Sequence, residues 1–186
     1  MLKEKKHSGF TILELFIALA VFSLVFLVVA PSAHNIIKRH RLIAEMNKTS
    51  SFIRYARYSA ISLANTVTIC PSSNFIHCQK SWKDGLIVFI DSNYNKQLDH
   101  TERLLASESF FSRFHKIKGA NRPIVFYENG TNSTPATIII CPQSNESIYA
   151  KAVVVSLQGR VRLSIDSNKD GIDETSGNNN IDCQAI

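Results

Sequence analysis

Hydrophobic positions fall along this chain in two regimes. Residues 10–30 (FTILELFIALAVFSLVFLVVA) are apolar almost without a break and carry a single charge, Glu14. Beyond Pro31 the apolar residues thin out to Ile36, Ile37, Ile43, Met46, Ile53, Ala56, Ala60 and Leu63, at three-, four- and seven-residue spacings, and no Gly or Pro interrupts 32–64. That is the period of a helix with one buried face. A proline inside a helix removes a backbone hydrogen bond, so the pattern predicts one long helix kinked at Pro31. After Asn65 the period changes. Six short β-branched or aromatic runs, 66–70, 86–91, 124–127, 137–141, 152–156 and 160–165, alternate with Gly, Pro, Asn and Ser. They read as antiparallel strands. The predicted architecture is α+β: a long N-terminal helix, 10–30 and 31–64, laid against an antiparallel β-sheet formed by 65–186.

The first regime changes the compartment. An apolar run from 10 to 30 is long enough to cross a hydrocarbon core of about 30 Å at about 1.5 Å per residue. Lys3, Lys5 and Lys6 precede it, which keeps the N-terminus cytoplasmic and exports the remainder. A cleaved secretory signal would be shorter and would end at a small-residue site. Glu14 is the anomaly. A carboxylate inside hydrocarbon costs roughly 2.5–3.5 kcal/mol, so such a residue is expected to meet a partner. Nothing else in 10–30 can pair with it, so that partner comes from another chain or from a new chain terminus.

Charge adds a second layer. The 186 residues carry 21 Lys and Arg against 15 Asp and Glu, a net of +6. The excess is uneven, with Lys38, Arg39, Arg41, Lys48, Arg54 and Arg57 on the second helix half and Asp166, Asp170, Asp173, Glu174 and Asp182 near the end. The basic helix face reads first as a side turned to solvent or lipid headgroups. Four cysteines, at 70, 78, 141 and 183, all lie beyond the apolar run, where an exported domain oxidises them. Four cysteines allow three pairings; Cys70–Cys78 closes a short Pro-containing loop and leaves Cys141–Cys183 to pin the C-terminus. Zinc is the alternative use, although no CxxC or paired-His spacing is present. No HExxH, nucleophile elbow, P-loop or dinucleotide fingerprint occurs. The chain is therefore read as non-enzymatic and without a cofactor.

Gly9-Phe10-Thr11-Ile12-Leu13-Glu14 resembles the type III signal of type IV pilins and pseudopilins: a short basic leader ending in Gly, then Phe at the mature first position and Glu at the fifth. The resemblance implies a prepilin peptidase that cuts after Gly9 and N-methylates Phe10. It also implies a Glu14 that meets the Phe10 amine of a neighbouring subunit. Loss of the leader, 1–9, removes Lys3, Glu4, Lys5 and Lys6 and leaves +4 of the +6. Cys70-Pro71-Ser72-Ser73, Cys78, Trp82-Lys83-Asp84-Gly85-Leu86-Ile87-Val88-Phe89-Ile90-Asp91 and Gly159-Arg160-Val161-Arg162 are similar to the FimT/GspH branch of minor pilins. The implied function is that of a filament subunit in the bacterial inner membrane with its C-terminal domain in the periplasm. Its implied partners are other pilin or pseudopilin subunits. Two filaments are open: a type IV pilus taking up DNA, or the pseudopilus of a type II secretion system.

The tetrapeptide at 159–162 carries the DNA reading. In a strand, residues two apart share a face, so Arg160 and Arg162 project together while Val161 points inward. Two guanidinium groups on one exposed face suit phosphate oxygens. In FimT-type pilins, which this chain resembles here, such a GRxR element takes part in binding double-stranded DNA without sequence preference. Lys151 and Lys169 flank it and extend the candidate patch. The competing reading pairs the arginines with Asp166 or Asp170 on the surface. The loop Asp166, Asn168, Asp170, Asp173 and Glu174 around Gly171 spaces its oxygens as calcium loops do, although the twelfth position is Gly177 rather than Glu. Asp91, Asn93 and Asn95, with Asp99 further on, repeat that spacing more weakly. Ordinary Asx turns account for the same residues.

Overall fold

The computed structural model describes residues 9–82, 84–109 and 114–186, leaving aside the side chains of 28–32. The leader positions 1–8 and Lys83 thus lie outside the described residues, and the bend expected at Pro31 lies outside the described side chains. The chain divides into two compact units, Met1–Lys38 and Arg39–Ile186. Helix α1 spans Ile12–Leu63. Its start is a reciprocal cap: the Glu14 N–H donates to Thr11 Oγ1 at 3.2 Å, and the Thr11 N–H to Glu14 Oε2 at 3.4 Å. This T-x-x-E arrangement satisfies two backbone donors that the first helical turn would otherwise leave open.

In the first unit α1 exposes its apolar side chains all round. Ile12, Phe16, Phe22 and Leu27 are each more than half exposed, and the rings of Phe22 and Phe26 stand 5.4 Å apart. Among the described residues no helix is long and apolar enough to cross a membrane; of the expected span 10–30, the side chains of 28–30 lie outside the described ones.

In the second unit the helical period becomes a buried stripe. Leu42, Met46, Ile53, Ala56 and Ala60 are buried, at three-, four- and seven-residue steps. They pack on strands β1 (Val67–Pro71), β2 (Gly85–Ile90), β3 (Leu104–Ser109), β4 (His115–Lys118), β5 (Ile124–Phe126), β6 (Ala136–Pro142), β7 (Lys151–Val155) and β8 (Val161–Leu163). A 3-10 turn, Ser147–Tyr149, precedes β7. The strands make two antiparallel sheets, ordered β3-β2-β1-β5 and β4-β6-β7-β8. The sequence pattern anticipates one sheet and does not contain β3 or β4.

One core joins the helix to both sheets: Ile53, Ala56 and Ala60 with Val67, Ile69, Val88 and Phe126 of the first, and Ile138, Ile140, Val153 and Val155 of the second. The opposite faces are also covered. Cys70, Ile87 and Phe89 pack under Phe75, Cys78 and Leu98, and Cys141 and Ala152 under Ile181 and Cys183. Because β1 and β2 are buried on both sides, their sequences run apolar instead of alternating. Two disulfides fasten these coverings, Cys70–Cys78 and Cys141–Cys183. All four thiols are therefore paired, which removes the zinc alternative. Trp82 is a buried anchor whose indole N–H donates to the Ala120 carbonyl at 3.0 Å.

Candidate nucleic-acid interface

The tetrapeptide 159–162 forms the return of the β7–β8 hairpin. Val154 pairs with Arg162 and Val155 with Val161. The turn closes through Gly159 N–H to Ser156 O at 2.9 Å and Ser156 N–H to Arg160 O at 3.0 Å. Gly159 adopts φ +71°, a left-handed conformation that costs an L-residue about 1–2 kcal/mol. Space demands glycine as well. A Cβ there would lie 2.0 Å from the Gly130 carbonyl oxygen and 2.8 Å from Arg57 Nε. Arg160 and Arg162 are exposed, and Val161 between them is half-buried against the core, as strand alternation requires.

Helix α1 brings further arginines to the same place. Arg54, Arg57, Tyr58 and Ile61 occupy one helix face at i, i+3, i+4 and i+7, and with Arg160 and Val161 they line a groove of about 310 Å³. Arg57 is part of the frame: its Nε donates to Gly130 O at 2.9 Å and its Nη2 to Gln158 O at 3.3 Å. It fixes the helix to both loops and charges the groove floor. Arg54 and Tyr58 are exposed at its rim. Among the described residues no carboxylate lies within ion-pairing distance of Arg54, Arg160 or Arg162. Arg162 is not among the groove-lining residues.

The two lysines proposed as extensions go elsewhere. Lys151 Nζ is held by Asp173 Oδ1 at 2.8 Å in a nearly buried ion pair, so it is not part of this patch. Lys169 sits in the acidic loop with φ +66° and donates its backbone N–H to Asp166 Oδ1 at 2.7 Å. Arg54 and Arg57 replace them, and their only sequence signal is the i, i+3 spacing on the basic helix face.

The acidic loop is closed on itself. Asp166 accepts the N–H groups of Lys169, Asp170 and Gly171. Asp170 accepts from Asn180, Ile172 and Asn168, contacts that lower its pKa in that order of size. Asp173 holds Lys151 and Ser164 Oγ, and Glu174 takes the N–H groups of Ser167 and Asn168. Asx turns account for Asp166 and Asp170, while Asp173 is taken up by side chains and Glu174 by backbone N–H groups earlier in the loop. Among the described residues no group of three His, Cys, Asp or Glu side chains is gathered to hold a metal ion.

The sequence model described as Type II transport protein GspH matches residues 45–159. The chain belongs to the GspH family. The matched span takes in the second half of α1, β1 to β7 and the turn up to Gly159; Arg160 and Arg162, like the Gly9–Glu14 signal, lie beyond it. Two crystal forms of the type IV minor pilin FimU of Pseudomonas aeruginosa PAO1 share the fold. One aligns at TM-score 0.57 and 22% identity over 72% of this chain and 95% of FimU. The other aligns at TM-score 0.54 and 22% identity over 69% and 95%. The minor pseudopilin EpsH of the Type 2 Secretion System of Vibrio cholerae aligns at TM-score 0.48 and 12% identity over 66% of this chain and 94% of EpsH. Comparison with curated proteins finds no match.

Proposed function

We propose that this GspH-family chain is a minor pilin that enters a type IV filament and holds double-stranded DNA by its phosphate backbone, as part of DNA uptake. The observation that carries the reading is the groove in which Arg54 and Arg57 of α1 meet Arg160 of the β7–β8 hairpin, with no carboxylate in ion-pairing distance of Arg54 or Arg160 among the described residues. Arginine forks fit phosphate oxygens bidentately, and Tyr58 at the rim offers a flat apolar contact to sugar or base. Contacts from arginine forks to phosphate oxygens carry no base information, so the binding is independent of sequence.

Filament entry is read from the other end of the chain. Prepilin peptidase cuts after Gly9 and methylates Phe10, and the apolar stretch beginning at Ile12 is held first by the inner membrane and then by neighbouring subunits. An apolar surface of that size is stable only when covered. Glu14, which caps its own helix through Thr11, then has a neighbour's terminal amine as its charged partner.

The test is binding of a fluorescent 30-base-pair duplex by the full chain in detergent micelles. Arg160→Gln with Arg162→Gln is expected to weaken binding at least tenfold, and undiminished binding sinks the site. A second reading follows from the description of the matched family, a type II transport protein: a pseudopilus subunit whose groove receives acidic side chains of a neighbour. Wild-type chain that binds no duplex at 50 mM salt favours that reading.

A further inference from the structure

The loop between β2 and β3 has a property that the acidic loop near the C-terminus lacks. Asp91 opens it and is fully buried. Its Oδ2 accepts Thr68 Oγ1–H at 2.7 Å and, across the loop, the Lys96 N–H at 3.1 Å. Its Oδ1 is buried with no hydrogen-bond partner. A buried carboxylate oxygen left without a partner is costly, and a cation beside it is the simplest compensation.

The residues that follow supply the rest of an oxygen cage. Counting from Asp91, the third, fifth and ninth positions are Asn93, Asn95 and Asp99, and the twelfth is Glu102. The seventh is Gln97, whose main-chain carbonyl is the usual ligand there. The sixth position of such loops needs a positive φ and is normally Gly; here Lys96 takes φ +63°. The side chains are already drawn together. Asn93 and Asn95 Nδ2 both donate to Asp99 Oδ2, at 2.8 and 2.7 Å. Glu102 Oε1 and Oε2 accept the N–H groups of Ser92 and Asp99, at 2.9 and 3.2 Å. Glu102 is the ligand the C-terminal loop lacks, since Gly177 stands at its twelfth place.

We propose that Asp91–Glu102 is a calcium site, with Asp91, Asn93, Asn95, Asp99 and Glu102 as side-chain ligands. Calcium is favoured over magnesium because the donors are six or more oxygens on a flexible hairpin loop, and magnesium demands a strict octahedron. Three carboxylates on a loop without flanking helices place the affinity at about 10⁻⁴–10⁻³ M, the range of extracellular modules. Asp99, Asn93 and Asn95 are gathered, while no three acidic side chains are clustered among the described residues. Binding turns the two amides so that their oxygens, not their nitrogens, face the ion. The bound ion closes the β2–β3 hairpin over the buried Asp91.

The experiment uses the full chain in detergent, stripped with chelator and titrated with calcium chloride or magnesium chloride by calorimetry and thermal melting. Calcium at about a hundredfold over Kd is expected to raise the Tm by on the order of 5–10 °C, with magnesium well below that. Glu102→Gln and Asp99→Asn are each expected to weaken calcium at least tenfold while leaving the calcium-free Tm within a few degrees. Asp166→Asn, in the C-terminal loop, is expected to bind as wild type. The proposal is overturned by no calcium response at 10 mM, by wild-type binding in both loop variants, or by loss of binding in Asp166→Asn alone.

Discussion

Glu45 of α1 and His115 of β4 form a nearly buried pair, with His115 Nε2 3.7 Å from Glu45 Oε2. Burial pushes the Glu45 carboxyl above its ordinary 4.5; the nearby Lys48 pulls it down and Glu108 pushes it up again. Burial, then Lys48, lowers the His115 imidazole from 6.5. The two act in opposite directions as pH changes. An unfolded His115 takes a proton near pH 6.5 and the folded one only below that, so stability falls as pH drops from about 6.5 toward the folded value. Glu45 keeps its proton in the fold above pH 4.5, so its contribution falls as pH rises from 4.5 through the raised value. In melts at pH 5 and 7.5, His115→Gln is expected to remove most of the acid-side loss. Glu45→Gln, which keeps the shape without the charge, is expected to raise the Tm at pH 7.5. Unchanged pH dependence in both would contradict the assignment. Gly159 teaches a related point. The sequence places it before Arg160, but only the 2.0 Å approach of the Gly130 carbonyl explains why no Cβ fits.

Among the elements, five expected strands lie where β-branched runs put them, and the sixth shortens from 160–165 to Val161–Leu163. β3 (LLASES) and β4 (HKIK) escaped because neither carries a β-branched or aromatic run; their partners β2 and β6 hold them. The division into two sheets was not legible either, since β1 pairs with β5 across some sixty residues and local pattern carries no such information. Cysteine spacing left three pairings open. Of the two formed, Cys141–Cys183 closes a separation of 42 residues and Cys70–Cys78 one of 8. Loop entropy alone then gives about 4 kcal/mol for the long closure and about 2.5 for the short one. Urea denaturation of the two double Cys→Ala variants is expected to preserve that order, by about 1–1.5 kcal/mol. An equal or reversed order would show that covering the β1–β2 face matters more than the length of chain closed.

At the scale of the molecule, two chemistries are kept apart in sequence: an apolar helix that needs other subunits or lipid, and a disulfide-fastened α+β unit that carries the charge. Net charge misled as a total. Lys151 is neutralised by Asp173 and Lys169 sits among carboxylates, while Arg54 and Arg57, first read as facing headgroups, converge on Arg160. That convergence joins residues about a hundred positions apart, which no local pattern reveals. The measurement that tests it most directly is the salt dependence of duplex binding, since each neutralised phosphate contributes a slope of about −0.9 to log K against log salt. Three arginines at the groove predict a slope near −2.7, and an affinity that falls about fortyfold between 50 and 200 mM salt. Arg54→Gln with Arg160→Gln should reduce that slope by about 1.8 while Lys151→Gln leaves it unchanged. A slope untouched by the arginine pair would place the DNA elsewhere and contradict the account.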